Sequence, residues 1–469
     1  MLRARCQHRL QFYTRRDLQT VPQLDRLAPD QRRAMEVVAH VLPFRTNNYV
    51  VEQLIDWEQI PEDPVFQLTF PQPGMLSDEH FGRMAAAIDS GANAAQLREV
   101  ADKIRHELNP HPEGQCQYNI PSIGDEPVPG VQHKYRETCL VFPSAGQTCH
   151  AYCSFCFRWA QFVGIPSLRL ATDESMRFCQ YVRDHNELTD VIFTGGDPMV
   201  MGAEVLARYV EPLLGDDIQH IQTIRIGTKA LSYWPYRFLN DKDSDALLRL
   251  FERIVAAGKH LAIMAHFNHW RELDTEPVQQ AIRRLRTLGA VIRTQAPVVR
   301  HINDDADVWA RMWREQVRLG CIPYYMFVER DTGAQCYFKV PLYRALEIYR
   351  EAITRGSGLA RSARGPVMSA LPGKVLIEGV AEIHGKHVFC LSFLQARNPA
   401  WCRQPFYAKF DPNACWLNEL RPAFDATEFF YERELADLLA RRSPAQRQST
   451  MARPEPAETK PIHVQATTA

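Results

Sequence analysis

Short apolar segments alternate with amphipathic segments through the middle of the chain. The amphipathic segments, at residues 204–214, 243–257, 276–288 and 306–319, carry apolar residues at helical spacing. Such an alternation predicts parallel strands that are joined by right-handed helical crossovers. The apolar segments, each predicted to be a strand, are residues 138–143, 190–194, 223–227, 260–266, 291–299 and 322–328.

Two architectures are compatible with six strand–helix alternations, a partial (β/α)6 barrel and a doubly wound open sheet. Polar motifs directly follow several of the predicted strands, including those at 190–194 and 260–266. In barrels the functional residues gather at the C-terminal ends of many strands. The predicted fold class is therefore α/β, a partial (β/α)6 TIM-like barrel, which we expect to occupy residues 126–376.

The flanking regions differ from this pattern. Residues 1–125 are predicted to form a helical N-terminal extension, with helices at 30–41, 47–57 and 77–106. Residues 375–393 alternate apolar and polar positions around His-Gly-Lys, which is typical of a β-hairpin. We therefore expect a small C-terminal region with β-structure at 377–443. Residues 444–469, rich in Pro, Ala, Thr, Gln and Ser, are predicted to be a disordered tail.

Composition narrows the class of protein. The formal net charge is zero, so no overall basic field would attract nucleic acid or an anionic membrane. No segment reaches the roughly 18 apolar residues that a membrane helix needs, and the first ten residues lack the apolar core of a signal peptide. Twelve cysteines scattered over 469 residues do not resemble a secreted disulfide framework. These features predict a cytoplasmic protein without nucleic-acid or membrane partners.

The most specific chemical motif is the segment 149–158, C-H-A-Y-C-S-F-C-F-R. Cys149, Cys153 and Cys156 are four and three residues apart, so one short loop can bring three thiolates to one metal centre. A [4Fe–4S] cluster and a closed zinc site each need four ligands, and the next cysteine, Cys179, is too distant for this loop. We predict a cluster with one iron open to a small molecule. The alternatives are buried free thiols and an incomplete zinc knuckle.

Polar residues also follow the other predicted strands. Gly195 and Gly196 allow the backbone to approach a ligand closely, and Asp197 can accept a hydrogen bond from an ammonium group. The third strand leads into R-I-G-T at 225–228 and the fourth into H-F-N-H at 266–269, while the fifth carries Gln295. We expect these groups to converge at one mouth of the barrel.

In this order of motifs the chain resembles the lysine 2,3-aminomutase family of radical S-adenosylmethionine (SAM) enzymes. The resemblance covers roughly residues 40–376. It rests on C-x-x-x-C-x-x-C-x-R, G-G-D, R-I-G, H-F-N-H, N-D at 303–304, Y-Y at 324–325 and an S-G segment at 357–358 that leads to Lys374. It implies an isomerase that moves an amino group between adjacent carbons by means of a 5'-deoxyadenosyl radical. The implied cofactors are a [4Fe–4S] cluster, SAM and pyridoxal phosphate (PLP).

The resemblance also implies roles for single residues. Cys149, Cys153 and Cys156 would hold the cluster, while Gly195, Gly196, Asp197 and Phe155 would contribute to cofactor binding. Lys374, in L-P-G-K, matches the lysine that forms a Schiff base with PLP. Tyr135 matches the residue beside the PLP ring. Lys134 stands where the family has an arginine, and Thr138 replaces a second arginine at the phosphate end.

The substrate end departs from the family. Arg158 matches the arginine that binds the substrate carboxylate, a task that suits a planar guanidinium. Asp304 matches the first of two aspartates that hold the distal ammonium of lysine. The second is expected seven residues before Lys374, where Val367 stands. Losing one of two counter-charges around a buried ammonium costs on the order of a few kcal/mol. We therefore predict an amino acid 2,3-aminomutase whose substrate is a different amino acid or a lysine derivative with a less demanding side chain, rather than free lysine.

Two other functions remain open at this stage. One is a radical SAM enzyme of another reaction type that lacks PLP. The other is a non-catalytic Fe–S or zinc-binding protein on the same scaffold. For the enzyme, the expected partners are a small-molecule amino acid substrate and a reductase or flavodoxin-type electron donor, and the chain could form a homo-oligomer.

Overall fold

The structure, a computed structural model, describes residues 8–440. Its N-terminal part is mainly helical, as predicted. The expected helix at 47–57 is shorter in the structure: residues 48–54 are helical, with a π-helical turn at Val50–Leu54, and Asn47 belongs to a short strand. The elements are β1 Phe12–Thr14, α1 Pro29–Val41, β2 Arg45–Asn47, α2 Pro64–Thr69, α3 Asp78–Asp89, α4 Ala94–Glu107, α5 Gln115–Tyr118, β3 Ser122–Ile123 and β4 Glu126–Pro127.

One eleven-stranded sheet dominates the rest of the molecule, and its strands lie side by side in the order of the sequence. All six predicted strands are confirmed within it. The strands are β5 Val131–Tyr135, β6 Thr138–Val141, β7 Asp190–Phe193, β8 Thr223–Thr228, β9 His260–His266, β10 Val291–Val298, β11 Ile322–Val328, β12 Arg364–Ser369, β13 Gly373–Ile383, β14 Lys386–Ala396 and β15 Phe406–Lys409.

Strands β6 to β12 are parallel. Each connection leads to the next strand in the same direction around the sheet, whereas a doubly wound sheet reverses its strand order at a switch point. The order therefore confirms the partial barrel. The intervening helices are α6 Ser175–Asp184, α7 Ala203–Val210, α8 Ala230–Tyr233, α9 Ser244–Ala256, α10 Glu276–Thr287, α11 Ala306–Arg318, α12 Gln335–Phe338 and α13 Leu342–Thr354.

Helix α11 shows why the crossovers form as predicted. The Asp305 side chain accepts hydrogen bonds from the backbone N–H groups of Asp307 and Val308, and thus caps the first turn. Trp309 and Trp313, four residues apart, are both buried on the sheet side of the helix. The apolar positions that predicted this helix are therefore the positions that pack in the interior of the protein.

Strand β12 is a seventh parallel strand that the sequence pattern does not predict. Its first residues, Arg-Gly-Pro, lack the apolar run of a buried strand. The predicted hairpin is confirmed as β13 and β14, which turn at His384 and Gly385 with positive φ angles of 51° and 69°. Because β13 runs from Gly373 to Ile383, the sheet continues across the expected boundary at residue 376.

Two apolar cores lie on the sheet. The larger core joins the N-terminal helices to the barrel, so both belong to one packed unit. The smaller core lies beneath β13, β14 and the final helix, α14 Glu432–Ala440, and is rich in aromatic rings such as Phe393, Trp401 and Tyr431. The predicted tail at 444–469 lies outside the described residues.

Candidate active site

A cavity of about 330 Å³ opens at the C-terminal ends of the parallel strands. Residues that follow β6, β7, β8 and β11 and residues near the ends of β9 and β10 contribute to its wall, together with β5 and the start of the C-terminal hairpin. The expected convergence of strand-end motifs is therefore found. The predicted site residues on the wall are Lys134, Tyr135, Cys149, Cys153, Phe155, Cys156, Arg158, Gly195, Gly196, Asp197 and Lys374.

The N-terminal region holds the cysteine loop in place. The backbone N–H of Tyr152 donates to the Arg45 carbonyl of β2 at 2.8 Å, and the N–H of Ser154 donates to the Leu68 carbonyl of α2 at 2.9 Å. Between these anchors, the Sγ atom of Cys153 lies 3.2 Å from the Tyr233 hydroxyl oxygen. Burial raises the pKa of the Cys153 thiol to about 12, so the thiol stays protonated unless a cation takes the proton's place.

The spacing of the three sulfur atoms can be compared with the needs of a metal. A single ion brings its ligand atoms close together, because Zn–S bonds are only about 2.3 Å long. Among the described residues, the only trio of His, Cys, Asp or Glu whose ligand atoms lie within 4.8 Å of one another is His133, His185 and Glu187, outside the cavity. The three cysteines face one cavity at wider spacing, which fits a multi-iron cluster better than one zinc ion.

The glycine pair after β7 serves close packing. A Cβ atom on Gly195, whose φ is +133°, would lie 2.1 Å from the Gln147 side chain, and one on Gly196 would lie 2.4 Å from the Thr148 carbonyl oxygen. Both glycines therefore let the second strand end press directly against the cysteine loop.

Asp197 connects the end of β7 to the end of β8 through hydrogen bonds. Its carboxylate accepts hydrogen bonds from the Thr228 hydroxyl at 2.7 Å and from the backbone N–H groups of Met199 and Lys229 at 2.9 and 2.8 Å. These donors occupy the acceptor positions that an incoming ammonium would need. The structure thus shows Asp197 as a connector of the cavity wall.

Arg158 lies on the same wall. Its Nη1 donates to the Thr194 hydroxyl and, at 3.1 Å, to the Gly195 carbonyl, while its buried Nε has no hydrogen-bond partner in the structure. Burial lowers the pKa of this guanidinium to about 10, so it remains charged at neutral pH. A buried cation with a free N–H is suited to bind an anion in the cavity.

Lys374 lies on the cavity wall beside two aromatic rings, those of Tyr135 and Tyr325. Its Nζ is 5.2 and 5.3 Å from the ring centroids of Tyr135 and Tyr325, and it donates to the Gln395 side chain at 2.9 Å. Burial and the charge of Arg225 lower the pKa of Lys374 to about 7. A substantial fraction of this amine is therefore neutral at physiological pH, as an amine that attacks a carbonyl must be.

The comparisons with known proteins agree with these features. No family model matches the chain. A protein of Aquifex aeolicus that is provisionally named an L-lysine 2,3-aminomutase is 30% identical over 397 residues, which cover 84% of this chain and 92% of that one. The chain belongs to the lysine 2,3-aminomutase family.

Two other similar proteins match a smaller part of this chain. The L-lysine 2,3-aminomutase of Escherichia coli is 30% identical over 235 residues, or 49% of this chain and 63% of the relative. A radical SAM methyltransferase from Sphaerobacter thermophilus shares 16% identity with a TM-score of 0.33, over 48% of this chain and 66% of that one. Membership of the lysine 2,3-aminomutase family makes the chain a radical SAM isomerase, with a [4Fe–4S] cluster and SAM as its cofactors. Within residues 8–440, no helix is both long and apolar enough to cross a membrane.

Asp304 does not reach the cavity of this aminomutase-family protein. Its carboxylate accepts a hydrogen bond from the backbone N–H of His301 at 3.0 Å, and it is not part of the cavity wall. Its neighbour Asn303 is buried and donates to the carbonyls of Asn268 and Pro297. The N-D pair therefore shapes the loop after β10.

Val367 is also absent from the cavity wall, because it packs with Tyr325 and Leu376 in a small apolar cluster. The wall residue of β12 is Ser369, which pairs with Lys374 across the sheet. Only four residues separate Ser369 from Lys374, so the position seven residues before Lys374 lies further back in β12 than the residue that faces the cavity. The expectation that position 367 faces the substrate is therefore wrong.

The sequence analysis did not identify Arg330, Glu329, Ser369 and Gln395 as site residues. Arg330 and Glu329 directly follow β11, so the rule that drew attention to the other strand ends could have found them. Gln395 lies far along the hairpin, and no local sequence signal marks it. Only the antiparallel register, which pairs Lys374 with Gln395, brings that amide to the lysine.

Proposed function

We propose that this chain is a PLP-dependent amino acid 2,3-aminomutase, in which Lys374 forms the covalent linkage to PLP. The observation that carries the proposal is the state of Lys374, a buried lysine in the cavity whose pKa burial lowers to about 7. The Tyr135 and Tyr325 rings beside its Nζ provide flat surfaces against which an aromatic cofactor can lie.

Each cofactor would supply one kind of chemistry. The cluster and SAM would supply a carbon radical that removes a substrate hydrogen, and PLP would supply an aldehyde that holds the migrating amino group. The protein's own residues would position these groups. The cluster would be held by Cys149, Cys153 and Cys156. Gly195 and Gly196 would let the segment that follows β7 lie directly against the cysteine loop.

The remaining site residues would orient the substrate and exclude water. Arg158 would bind the α-carboxylate with its free Nε and remaining N–H groups. His266 stays neutral because burial lowers its pKa to about 3, and it lies 2.9 Å from the Gln295 amide nitrogen. This neutral pair adds polarity to the wall without adding charge.

Borohydride trapping tests the assignment of Lys374. The anaerobically purified protein is incubated with PLP, reduced with borohydride and digested, and the modified peptide is identified by mass spectrometry. We expect the adduct on Lys374, its loss in Lys374→Ala and its retention in Lys386→Ala, which removes an exposed lysine of the same hairpin. An adduct on Lys134 would contradict the assignment. No adduct, together with intact SAM cleavage, would favour a radical SAM enzyme without PLP.

Single cysteine replacements test the cluster. Cys149→Ala, Cys153→Ala and Cys156→Ala should each abolish the broad brown absorbance and bound iron of the reconstituted protein, because three ligands are the minimum for this site. Cys179→Ala and Cys321→Ala, which remove buried thiols elsewhere, should keep both. A Cys153→Ala protein that retains a full, SAM-accessible cluster would refute the proposed ligand set.

A further inference from the structure

Arg330 is a buried cation in the cavity that the proposed function does not use. It follows strand β11 on the cavity wall, and its guanidinium carbon lies 5.2 Å from the centroid of the Phe157 ring. Its Nη2 donates a long hydrogen bond to the Pro112 carbonyl at 3.4 Å, and its buried Nε has no hydrogen-bond partner. Within residues 8–440, no ion pair involves this guanidinium, so its charge is available to a ligand.

Arg330 lies close to Arg158. The guanidinium carbon of Arg158 is 4.9 Å from the centroid of the same Phe157 ring. Since both guanidinium carbons lie this close to one ring, they are at most about 10 Å apart. Each of these arginines has a buried Nε without a partner. Two carboxylates joined by a short carbon chain can bridge such a pair, each accepting N–H groups from one guanidinium.

Within residues 8–440, no carboxylate forms an ion pair with Arg158 or Arg330, and the charges of Glu113 and Asp331 act on Arg330 from a longer distance. The Asp197 carboxylate is filled by the donors described above, and Glu113 accepts hydrogen bonds from the Trp416 indole at 2.6 Å and from the Leu371 backbone N–H. Glu329 is the third acid, and burial raises its pKa well above the ordinary value, which favours its uncharged form. Both of its carboxyl oxygens are buried without a hydrogen-bond partner.

Two guanidinium groups of the wall have no ion-pair partner among residues 8–440, namely those of Arg158 and Arg330. Arg225 and Lys229 are paired with Asp190 and Glu272. Burial lowers the pKa of the other two basic residues of the wall, Lys134 and Lys374. A substrate with a free side-chain ammonium would bring a further positive charge to this wall, and like charges in a buried site repel strongly.

We infer that the substrate is an amino acid with a carboxylate on a short side chain, held by Arg330 at that end while Arg158 binds the α-carboxylate. This inference rests on the proposed function, since it names the substrate class of the same aminomutase site. Ser369, the wall residue of β12, adds an uncharged hydroxyl in place of a counter-charge for an ammonium.

Calorimetric titration of the anaerobic, reconstituted holoenzyme tests the inference. Reductant is omitted, so binding is measured without turnover. The ligands are aspartate and glutamate, their uncharged amides asparagine and glutamine, and lysine. We expect one of the acids to bind at least about tenfold more tightly than its own amide, because a charged hydrogen-bonded pair is lost in the amide. Lysine should bind more weakly than that acid.

Variants assign the preference to Arg330. Arg330→Gln should make the acid and its amide bind with equal affinity. Arg330→Lys keeps the positive charge but loses the planar guanidinium that can bind a carboxylate through two N–H groups, so it should keep a reduced preference for the acid. The matched control is Arg105→Gln, which removes a partly buried arginine of α4 that is not on the cavity wall, and it should keep the wild-type preference. If Arg330→Gln does not fold, the Arg330→Lys variant and the wild-type panel still decide.

Three outcomes would overturn the inference. One is wild-type protein that binds lysine more tightly than either acid. A second is an unchanged preference for the acid in Arg330→Gln. A third is loss of SAM or PLP binding in Arg330→Gln with the acid preference intact, which would assign Arg330 to a cofactor anion. Borohydride trapping separates the two proposals, because an adduct on Lys374 with the wrong ligand preference refutes only the substrate class.

Discussion

Lys374 shows how burial sets the chemistry of a single residue. Two aromatic rings and the neutral Gln395 amide surround its amine, and neighbouring cations add to the effect of burial on its pKa. The ordinary pKa of a lysine is about 10.4, and here it is about 7. The cavity thus keeps the amine reactive by making its charged form unfavourable.

The same shift makes a prediction about stability. Between about pH 7 and pH 10 the folded protein holds fewer protons at Lys374 than the unfolded chain, so this residue's contribution to the free energy of unfolding rises with pH. At pH 6 the cofactor-free Lys374→Met variant should be more stable than the wild type, because it buries no charge. The difference should shrink as the pH rises to 10. Urea unfolding at several pH values measures it, and a pH-independent difference would contradict the shifted pKa.

At the scale of elements, close contact between the cysteine loop and the end of β7 depends on glycine. Gly196 lies where a side chain would meet the backbone of Thr148, with contacts of 2.4 and 2.5 Å to its O and N atoms. Backbone atoms cannot turn aside as a flexible side chain can. The two segments that would hold the cluster and SAM are therefore positioned by each other.

Gly196→Ala should lower the free energy of unfolding by about 1–3 kcal/mol, the usual cost of an overpacked site, and should reduce the bound iron. The control is Gly82→Ala in helix α3, where a Cβ meets nothing within 4 Å. That change should raise stability by about 0.5–1 kcal/mol, because alanine favours a helix over glycine. Denaturant unfolding and iron analysis measure both, and an iron-replete, stable Gly196→Ala protein would refute the packing argument.

At the scale of the whole molecule, the N-terminal region is part of the site's scaffold. Asn47 is fully buried and connects three segments: its Nδ2 donates to the carbonyls of His150 and Tyr233 at 2.9 and 3.0 Å, and its Oδ1 accepts from the Val50 N–H at 3.0 Å. One amide thus ties β2 to the cysteine loop and to helix α8.

Asn47→Ala should lower the free energy of unfolding by about 3 kcal/mol or more, because it leaves three buried polar groups without partners at about 1–3 kcal/mol each. It should also reduce the iron content, since the cysteine loop loses an anchor. Asn48→Ala, whose side-chain contacts are exposed, should cost less than about 1 kcal/mol and keep the iron. Equal effects of the two changes would show that the connection through Asn47 is not structurally important.

The sequence alone determined the strand–helix order, the barrel and the cysteine loop. Strands and crossover helices are encoded by local periodicity, as in β11 or in α11 with its Asp305 cap and its tryptophans, so they can be read from neighbouring residues. The three cysteines are informative for the same reason, because their spacing lies within one loop.

Only the tertiary structure decided which residues of the substrate end face the cavity. Asp304 and Val367 occupy expected positions in the sequence, yet one binds its own loop and the other packs in an apolar cluster. Arg330 reaches the wall at the end of β11, and Gln395 reaches Lys374 through the register of β13 with β14. The direction of a side chain depends on strand register and loop length. A shift of one residue turns a strand's side chains to the opposite face, and spacing along the sequence does not specify that register.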